Sequence, residues 1–237
     1  MKKRQEKVLM AIVKEYVKTA EPVSSQVLFE KYRLNVSPAT LRIDMAELTE
    51  EGYLIKPHIS SGRIPTEKAY HFYIKNISEP KLSLKEENKL KEIVNKRKKD
   101  KEKTIEELGN FLSEVSRNLS FLCFKEMIFW QGLSVLFSQP EFYHREQIQH
   151  FAQVFEEIYE RFCFETLMKE IFKEFEEDIT IYIGQENPFF PVEDISLFFA
   201  KLNKGFIGLL GPQRTDYQKN IALLKKTKEL LENDFNF

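Results

Sequence analysis

Cysteine and long apolar runs are scarce in this sequence. Of its 237 residues only Cys123 and Cys163 are cysteines, and neither lies at metal-ligand spacing. We therefore expect buried, reduced thiols in a cytoplasmic protein rather than a disulfide framework or a zinc site. No apolar run reaches the roughly 18 residues of a transmembrane helix. Glu6, Lys14 and Glu15 interrupt the N-terminal segment, which argues against a signal peptide.

The common motifs of catalysis are also missing. The sequence has four His, and the nearest pair, His144 and His150, is six positions apart, which is neither one helix face nor the H-E-x-x-H arrangement. It contains no phosphate-binding loop of the G-x-x-x-x-G-K-[ST] type, no G-x-G-x-x-G turn and no nucleophile elbow. We therefore expect no enzymatic activity, no cofactor and no metal site.

Charge is distributed unevenly in what the sequence does contain. Residues 1–75 carry 13 Lys and Arg against 9 Asp and Glu, whereas the remainder carries 23 against 28. A basic head on an acidic body is typical of a protein that binds nucleic acid through the head. Hydrophobic residues make up 42% of the chain, including 21 Phe, which is enough for a packed core.

The N-terminal part has the element order of a helix-turn-helix. Apolar spacing predicts a first helix over about 5–18. Either Ser24 or Ser25 can cap a second helix, because a serine hydroxyl accepts from the free amides of the first turn. Ser37 is a strong cap for a third helix, and Pro38 fits its first position since no amide hydrogen is needed there.

A hairpin-like segment follows the third helix. Residues 53–56 read as a strand, Ser61 and Gly62 as a turn, and residues 63–64 as a returning strand. Thr66 then caps a fourth helix, and a boundary is expected close to its end. The predicted domains are a winged-helix DNA-binding domain over 1–77 and a regulatory or dimerisation domain over 78–237.

Ile43 is the most outward residue predicted on the third helix. Leu41, Met45 and Leu48 share its core face, and the residues predicted to point away are Ala39, Thr40, Ile43 and Glu47. An outward Ile is unusual unless something covers it. A thymine methyl is one cover and a protein partner is another, whereas an ordinary exposed apolar residue needs none.

Candidate DNA contacts lie on the second helix start, the third helix and the loop after it. In a helix-turn-helix, small and polar residues of the later helix, which is the third helix of this chain, contact base edges and phosphates. Arg or His on a wing contacts phosphate or the minor groove. The predicted contact residues are Ser24, Ser25, Ser37, Ala39, Thr40, Arg42, Ile43, His58, Ser60, Ser61 and Arg63.

The remainder of the chain predicts an α+β body, a small sheet flanked by long helices. The polar segment 95–103 reads as a solvated helix segment or interhelical turn, with a second phosphate-contacting patch as the alternative. The expected elements are helices over 82–119, 140–176 and 217–231 and strands within 127–136, 179–183, 197–200 and 206–210.

Five segments together resemble the HrcA family, the heat-inducible transcription repressors of bacteria: PVSSQVL, SPATLRIDMAELTEEGYL, PHISSGRIPT, IGQEN and GPQRTDY. The resemblance covers about residues 4–77 and 127–231. It implies a winged helix-turn-helix followed by a GAF-like domain with an inserted dimerisation domain. It further implies a homodimer on double-stranded DNA, at an inverted-repeat operator upstream of chaperone genes. The implied protein partner is the GroEL chaperonin, which supports the active repressor.

Carried over by position, Ser37–Met45 is the recognition helix and Pro57–Thr66 the wing. Three departures from the resembled pattern stand out. The family usually has Asn at the position of Ile43 and Met at that of Thr215. Between Ser120 and Met127 the chain is also short, where relatives carry further strands and the insert, so a dimer is expected through the long helices Leu82–Leu119 or Phe142–Phe175.

Two other interpretations remain open from the sequence. The alternative function is a winged-helix regulator whose GAF-like domain senses a small molecule and whose operator is unrelated to chaperone genes. A third is a protein–protein adaptor that uses the winged helix against another protein, which the outward Ile43 permits.

Overall fold

The structure is a computed structural model that describes residues 1–58, 61–78, 80–96, 101–124, 127–143, 145, 148–149, 151–153, 155–156, 178–187, 192–203 and 205–234. The chain forms two compact units, Met1–Ser78 and Glu79–Phe237. Within these described ranges, no helix is both long enough and apolar enough to cross a membrane.

The first unit is a winged helix, as the sequence predicts. Three helices precede two short antiparallel strands and a fourth helix. The elements are α1 (Lys3–Thr19), α2 (Ser25–Tyr32), α3 (Pro38–Glu50), β1 (Leu54–Ile55), β2 (Ile64–Pro65) and α4 (Glu67–Asn76). Leu54 pairs with Pro65 and Ile55 with Ile64.

Apolar residues at helical spacing build the core of this unit. They come from one stripe of each of the first three helices, so that α1 supports the helix-turn-helix formed by α2 and α3. The buried residues are Val8, Leu9, Ile12, Leu28, Leu41, Met45 and Leu48.

The second unit is built on a five-stranded antiparallel sheet, whose strands lie side by side in the order β4 (Met127–Gln131), β3 (Leu119–Phe124), β7 (Gly205–Pro212), β6 (Ile195–Leu202) and β5 (Thr180–Ile183). This mixture of sheet and helices confirms the predicted α+β, GAF-like class. Its elements are α5 (Leu84–Lys96), α6 (Lys101–Ser116), β3 (Leu119–Phe124), β4 (Met127–Gln131), α7 (Leu133–Phe137), a 3-10 turn (Pro140–Tyr143), β5 (Thr180–Ile183), a second 3-10 turn (Gly184–Glu186), β6 (Ile195–Leu202), β7 (Gly205–Pro212) and α8 (Tyr217–Asp234).

Both faces of this sheet are apolar, which explains the high Phe content. One face joins a single cluster with residues from α7 and the segments after it: Leu119, Phe121, Leu136, Phe142, Phe151, Leu197, Phe199, Phe206 and Leu210. The alternate residues of β6 and β7 point the other way, and there Phe198 packs on Tyr217 of α8 at 5.5 Å between ring centroids. Strands buried on both faces read as continuous apolar runs.

Several boundaries in the second unit differ from the prediction. The helical pattern predicted over 82–119 comprises two helices, α5 and α6, as an interhelical turn in the polar segment requires, whereas Leu119 begins strand β3, which the sequence did not predict. Residues 133–137 form helix α7 rather than a strand. A short apolar run cannot be assigned to helix or strand by periodicity alone, which explains both errors. Residues 97–100, in the polar segment, lie outside the described residues.

The glycine before α7 explains where the strand stops. Gly132 has φ +97°, and a Cβ there would lie 1.6 Å from Ser113 Oγ, so only glycine fits this turn.

Of the predicted helix 140–176, Pro140–Tyr143 is a 3-10 turn and most of the rest is not described. Cys123 is buried, whereas Cys163 is outside the described residues.

Candidate nucleic-acid interface

The start of α3 is fixed by its own side chains. Ser37 Oγ accepts a hydrogen bond from the amide of Thr40 at 3.2 Å, and the two hydroxyl oxygens lie 3.0 Å apart. Pro38 occupies the first turn. The predicted cap is therefore present, and it places the N-terminal turn of α3 at the surface with little freedom to rearrange.

The exposed face of α3 is mainly small and apolar. Ala39, Arg42, Ile43 and Ala46 are exposed, and Ile43 is 59% exposed. These positions follow the helical period, so their side chains line one face. Thr40, which was predicted to point away from the core, is half-buried, and its hydroxyl lies beside that of Ser37 in the cap.

Contacts from α1 fix the opposite side of α3. Asp44 is fully buried and accepts two hydrogen bonds from Arg4, at 2.7 Å from Nε and 2.8 Å from Nη2. Hydrogen bonding to this carboxylate raises the pKa of Arg4. Gln5 Nε2 donates to Glu47 at 2.6 Å. Glu47, which was predicted to point away from the core, is therefore held half-buried, and the rotation of α3 about its axis is fixed.

The base of the wing is tied to the start of α2. Val23 and Arg63 exchange two backbone hydrogen bonds of 2.9 and 2.8 Å. Gly62 lies so close to Val23 that an added Cβ would be 2.4 Å from its carbonyl atoms. Arg63 Nε donates to Thr49 Oγ1 at 3.0 Å, which orients its half-buried guanidinium along the end of α3.

The turn before the base of the wing is closed by the side chain of Ser61. Ser61 Oγ accepts from the amide of His58 at 2.9 Å and donates to its carbonyl at 2.7 Å, and the Ser61 amide donates to the same carbonyl at 3.0 Å. His58 is exposed, whereas the Ser61 hydroxyl is committed to the turn. The predicted contact residue Ser60 lies outside the described residues.

The two serines at α2 differ in position. Ser24 is the cap of α2, with its Oγ accepting from the amide of Val27 at 3.2 Å. Ser25 is only 7% exposed, so its side chain faces the interior. The sequence identified both as candidates because either can cap a helix.

Two exposed residues in this region were not among the predicted contacts. Ala46 lies one turn after Ile43 on the same face, a position that helical spacing alone reveals. Lys56 follows β1 and is exposed. Within the described parts of the chain, no group of three or more His, Cys, Asp or Glu is placed to hold a metal ion.

These observations define a winged-helix protein with an α+β body. The family pattern described as the HrcA protein C terminal domain matches residues 74–221, which is more than half of the chain. The chain belongs to the HrcA family.

One curated relative matches nearly the whole chain, and another matches about half of it. The heat-inducible transcription repressor HrcA of Carboxydothermus hydrogenoformans is 26% identical, over 97% of this chain and 98% of that protein. That alignment spans 341 positions, so the relative has segments with no counterpart among these 237 residues. The HrcA of Pelotomaculum thermopropionicum is 42% identical over 48% of this chain but only 33% of its own length.

A solved structure supports the fold. A crystal structure of a hypothetical protein matches 99% of this chain and 100% of its own, with a TM-score of 0.72 and 20% identity. At this identity the likeness concerns the fold alone.

Proposed function

We propose that this protein is a heat-inducible transcription repressor that binds double-stranded DNA with α3 and the wing. The observation that carries the proposal is the exposed face of α3, which is fixed by the cap at Ser37 and by the Arg4–Asp44 pair. The curated relatives are named as heat-inducible transcription repressors, which supports the same proposal.

The proposed contacts combine positioning with reading of the bases. Arg42 and Lys56, both exposed, supply positive charge for phosphates, and the exposed His58 offers an imidazole N–H donor. Ala39, Ile43 and Ala46 face the base edges in the major groove. Ser24 and Ser37 lie at helix starts, where amides and hydroxyls suit phosphate oxygens. Ser25 is left out of this set because its side chain is buried.

We propose that the protein acts as a homodimer on an inverted repeat, with residues 1–77 as the DNA-binding domain and 78–237 as the regulatory and dimerisation domain. The GroEL chaperonin is the proposed protein partner. Band shifts with the full chain and an inverted repeat, with and without purified GroEL, test these proposals. If the affinity of the protein for DNA does not depend on GroEL, the chaperonin is not its partner.

Arg42 provides the direct test of the DNA interface. Selection from random duplexes identifies the site, and band shifts then compare the wild type with Arg42→Ala. Loss of one phosphate contact per protomer should weaken binding about equally for all sequences and reduce the salt slope by about 1 per protomer.

Lys225→Ala is the matched control, because Lys225 is likewise an exposed cation and lies on α8 of the other unit. It should bind like the wild type. If selection returns no specific sequence, or if Arg42→Ala binds with the affinity and salt dependence of the wild type, the proposed interface is wrong.

A further inference from the structure

The outer line of α3 carries no hydrogen-bonding group at its centre. Ile43 is 59% exposed, and the residues one turn before and after it on this line are Ala39 and Ala46, both exposed. The inner side of the helix is occupied by Leu41, Asp44, Met45 and Leu48. Because the Arg4–Asp44 pair fixes the rotation of the helix, Ile43 cannot turn inward.

This arrangement makes Ile43 the most protruding side chain of an apolar strip. The alanine on each side has only a methyl group, so the branched side chain of Ile43 stands out between them. A strip of this kind has neither donor nor acceptor for the polar edges of bases. The one apolar feature that a base presents in the major groove is the C5 methyl group of thymine.

We infer that Ile43 is a specificity-determining residue that selects thymine by contact with its C5 methyl group, one thymine in each half-site. This inference rests on the proposed function, since it assigns the base class read by the same helix. Arg42, the next residue, lies to one side of the strip and holds the phosphate backbone.

Replacing single thymines with 2′-deoxyuridine tests the inference, since the exchange removes only the methyl group. The 237-residue chain is first used to select its site from random duplexes, and each thymine is then replaced in turn. One position per half-site should lose about four-fold in affinity for the wild type, and both together about fifteen-fold, which corresponds to one buried methyl each.

Ile43→Ala should bind the selected site less tightly and lose nothing further when that thymine is replaced by deoxyuridine. Leu133→Ala is the control, because Leu133 is an exposed apolar residue of the second unit on the short helix α7, outside the long helices through which the dimer is expected. It should keep the full response of the wild type. Since Ile43 is on the surface, circular dichroism should show an unchanged fold in its variant.

Ile43→Asn gives a second, independent readout. An asparagine amide pairs with the N6 and N7 atoms of adenine, so the selected base at this one position should change from thymine to adenine. The remainder of the selected site should stay the same.

The outcomes separate this inference from the proposed function. One outcome of the selection is a specific site in which deoxyuridine at every position affects the wild type and Ile43→Ala equally. That result overturns the inference and leaves the repressor proposal standing. If Ile43→Ala binds the selected site with wild-type affinity, the inference is also wrong. Ile43 would then belong to a surface that contacts another protein rather than DNA. Failure to select any sequence overturns the proposed function itself.

Discussion

At the scale of single residues, Thr215 has a role that its sequence position does not reveal. Its hydroxyl oxygen accepts hydrogen bonds from Asn118 Nδ2 at 3.0 Å and Asn220 Nδ2 at 2.8 Å, and all three residues are buried. Asn118 also donates to the carbonyl of Ser116 at 3.2 Å. The turn before α8 is thus joined to the start of β3, which is far away along the chain.

Thr215→Val should destabilise the protein by about 1–3 kcal/mol, because the isosteric change leaves the buried amide of Asn220 without its acceptor. Thr215→Ser retains the hydroxyl and should cost clearly less. Urea unfolding followed through Trp130 measures both variants. Equal stability of Thr215→Val and the wild type would show that the hydrogen bonds carry no net free energy.

Glu15 predicts an acid-sensitive site in the first unit. Its buried carboxylate accepts from Lys31 and, at 3.0 Å, from Tyr32 Oη. The hydrogen bond from Lys31, aided by that from Tyr32, holds the pKa of Glu15 below its ordinary value of 4.5. A depressed pKa stabilises the folded state above the unfolded-state value, and this contribution is lost as the pH falls through the folded-state value.

The protection of α1 amides from hydrogen exchange should therefore fall as the pH drops below about 4.5, after correction for the intrinsic exchange rate. Glu15→Gln should show weaker protection at pH 7 and a smaller further loss on acidification. An identical pH profile in the two proteins would assign the acid sensitivity to other carboxylates.

At the scale of elements, the predicted winged helix was right where local signals are strong. Ser37 and Pro38 predicted the start of α3, and the apolar period predicted its core face. The prediction that Thr40 and Glu47 point away from the core did not include their contacts, since Thr40 lies beside the Ser37 hydroxyl and Gln5 of α1 donates to Glu47. Strand β3 and helix α7 were missed since both are short apolar segments, for which neighbouring strands settle the structure.

Gly62 should be irreplaceable at the base of the wing. In Gly62→Ala the new Cβ would meet backbone atoms of Val23 at 2.4 Å, and backbone atoms cannot yield as a flexible side chain does. We expect about 1–3 kcal/mol of destabilisation from overpacking, together with weaker DNA binding as the wing is displaced. Thermal unfolding and band shifts measure the two effects.

Gly52→Ala provides the control for this substitution. Gly52 has φ +77° and an open space where its Cβ would be, so the cost is only the left-handed backbone, about 1 kcal/mol. DNA affinity should stay close to that of the wild type. If Gly52→Ala reduced DNA binding as much as Gly62→Ala, the packing against Val23 would not be the cause.

At the scale of the whole molecule, the proposed dimer predicts a strict spacing of half-sites. Two recognition helices related by a two-fold axis reach successive major grooves on one side of the duplex, about 34–36 Å or a multiple of this apart. Inserting about 5 base pairs, half a turn, between the half-sites should abolish cooperative binding, and inserting about 10 should restore part of it.

Band shifts and sedimentation on the spaced duplexes measure this dependence. Equal affinity at every spacing would indicate that each protomer binds alone. From the sequence, a dimer is predicted only by the resemblance to the HrcA family. The residue pattern of one helix does not show which helix of a second protomer it contacts.

The anchoring of the wing also bears on the thermodynamics of complex formation. With Arg63 joined to Val23 by two backbone hydrogen bonds and to Thr49 by its side chain, the base of the wing is ordered before DNA arrives. Association then involves no folding of this segment and loses little conformational entropy there. Calorimetry should therefore give a heat-capacity change that matches the apolar area buried against DNA, without the larger negative value that coupled folding adds.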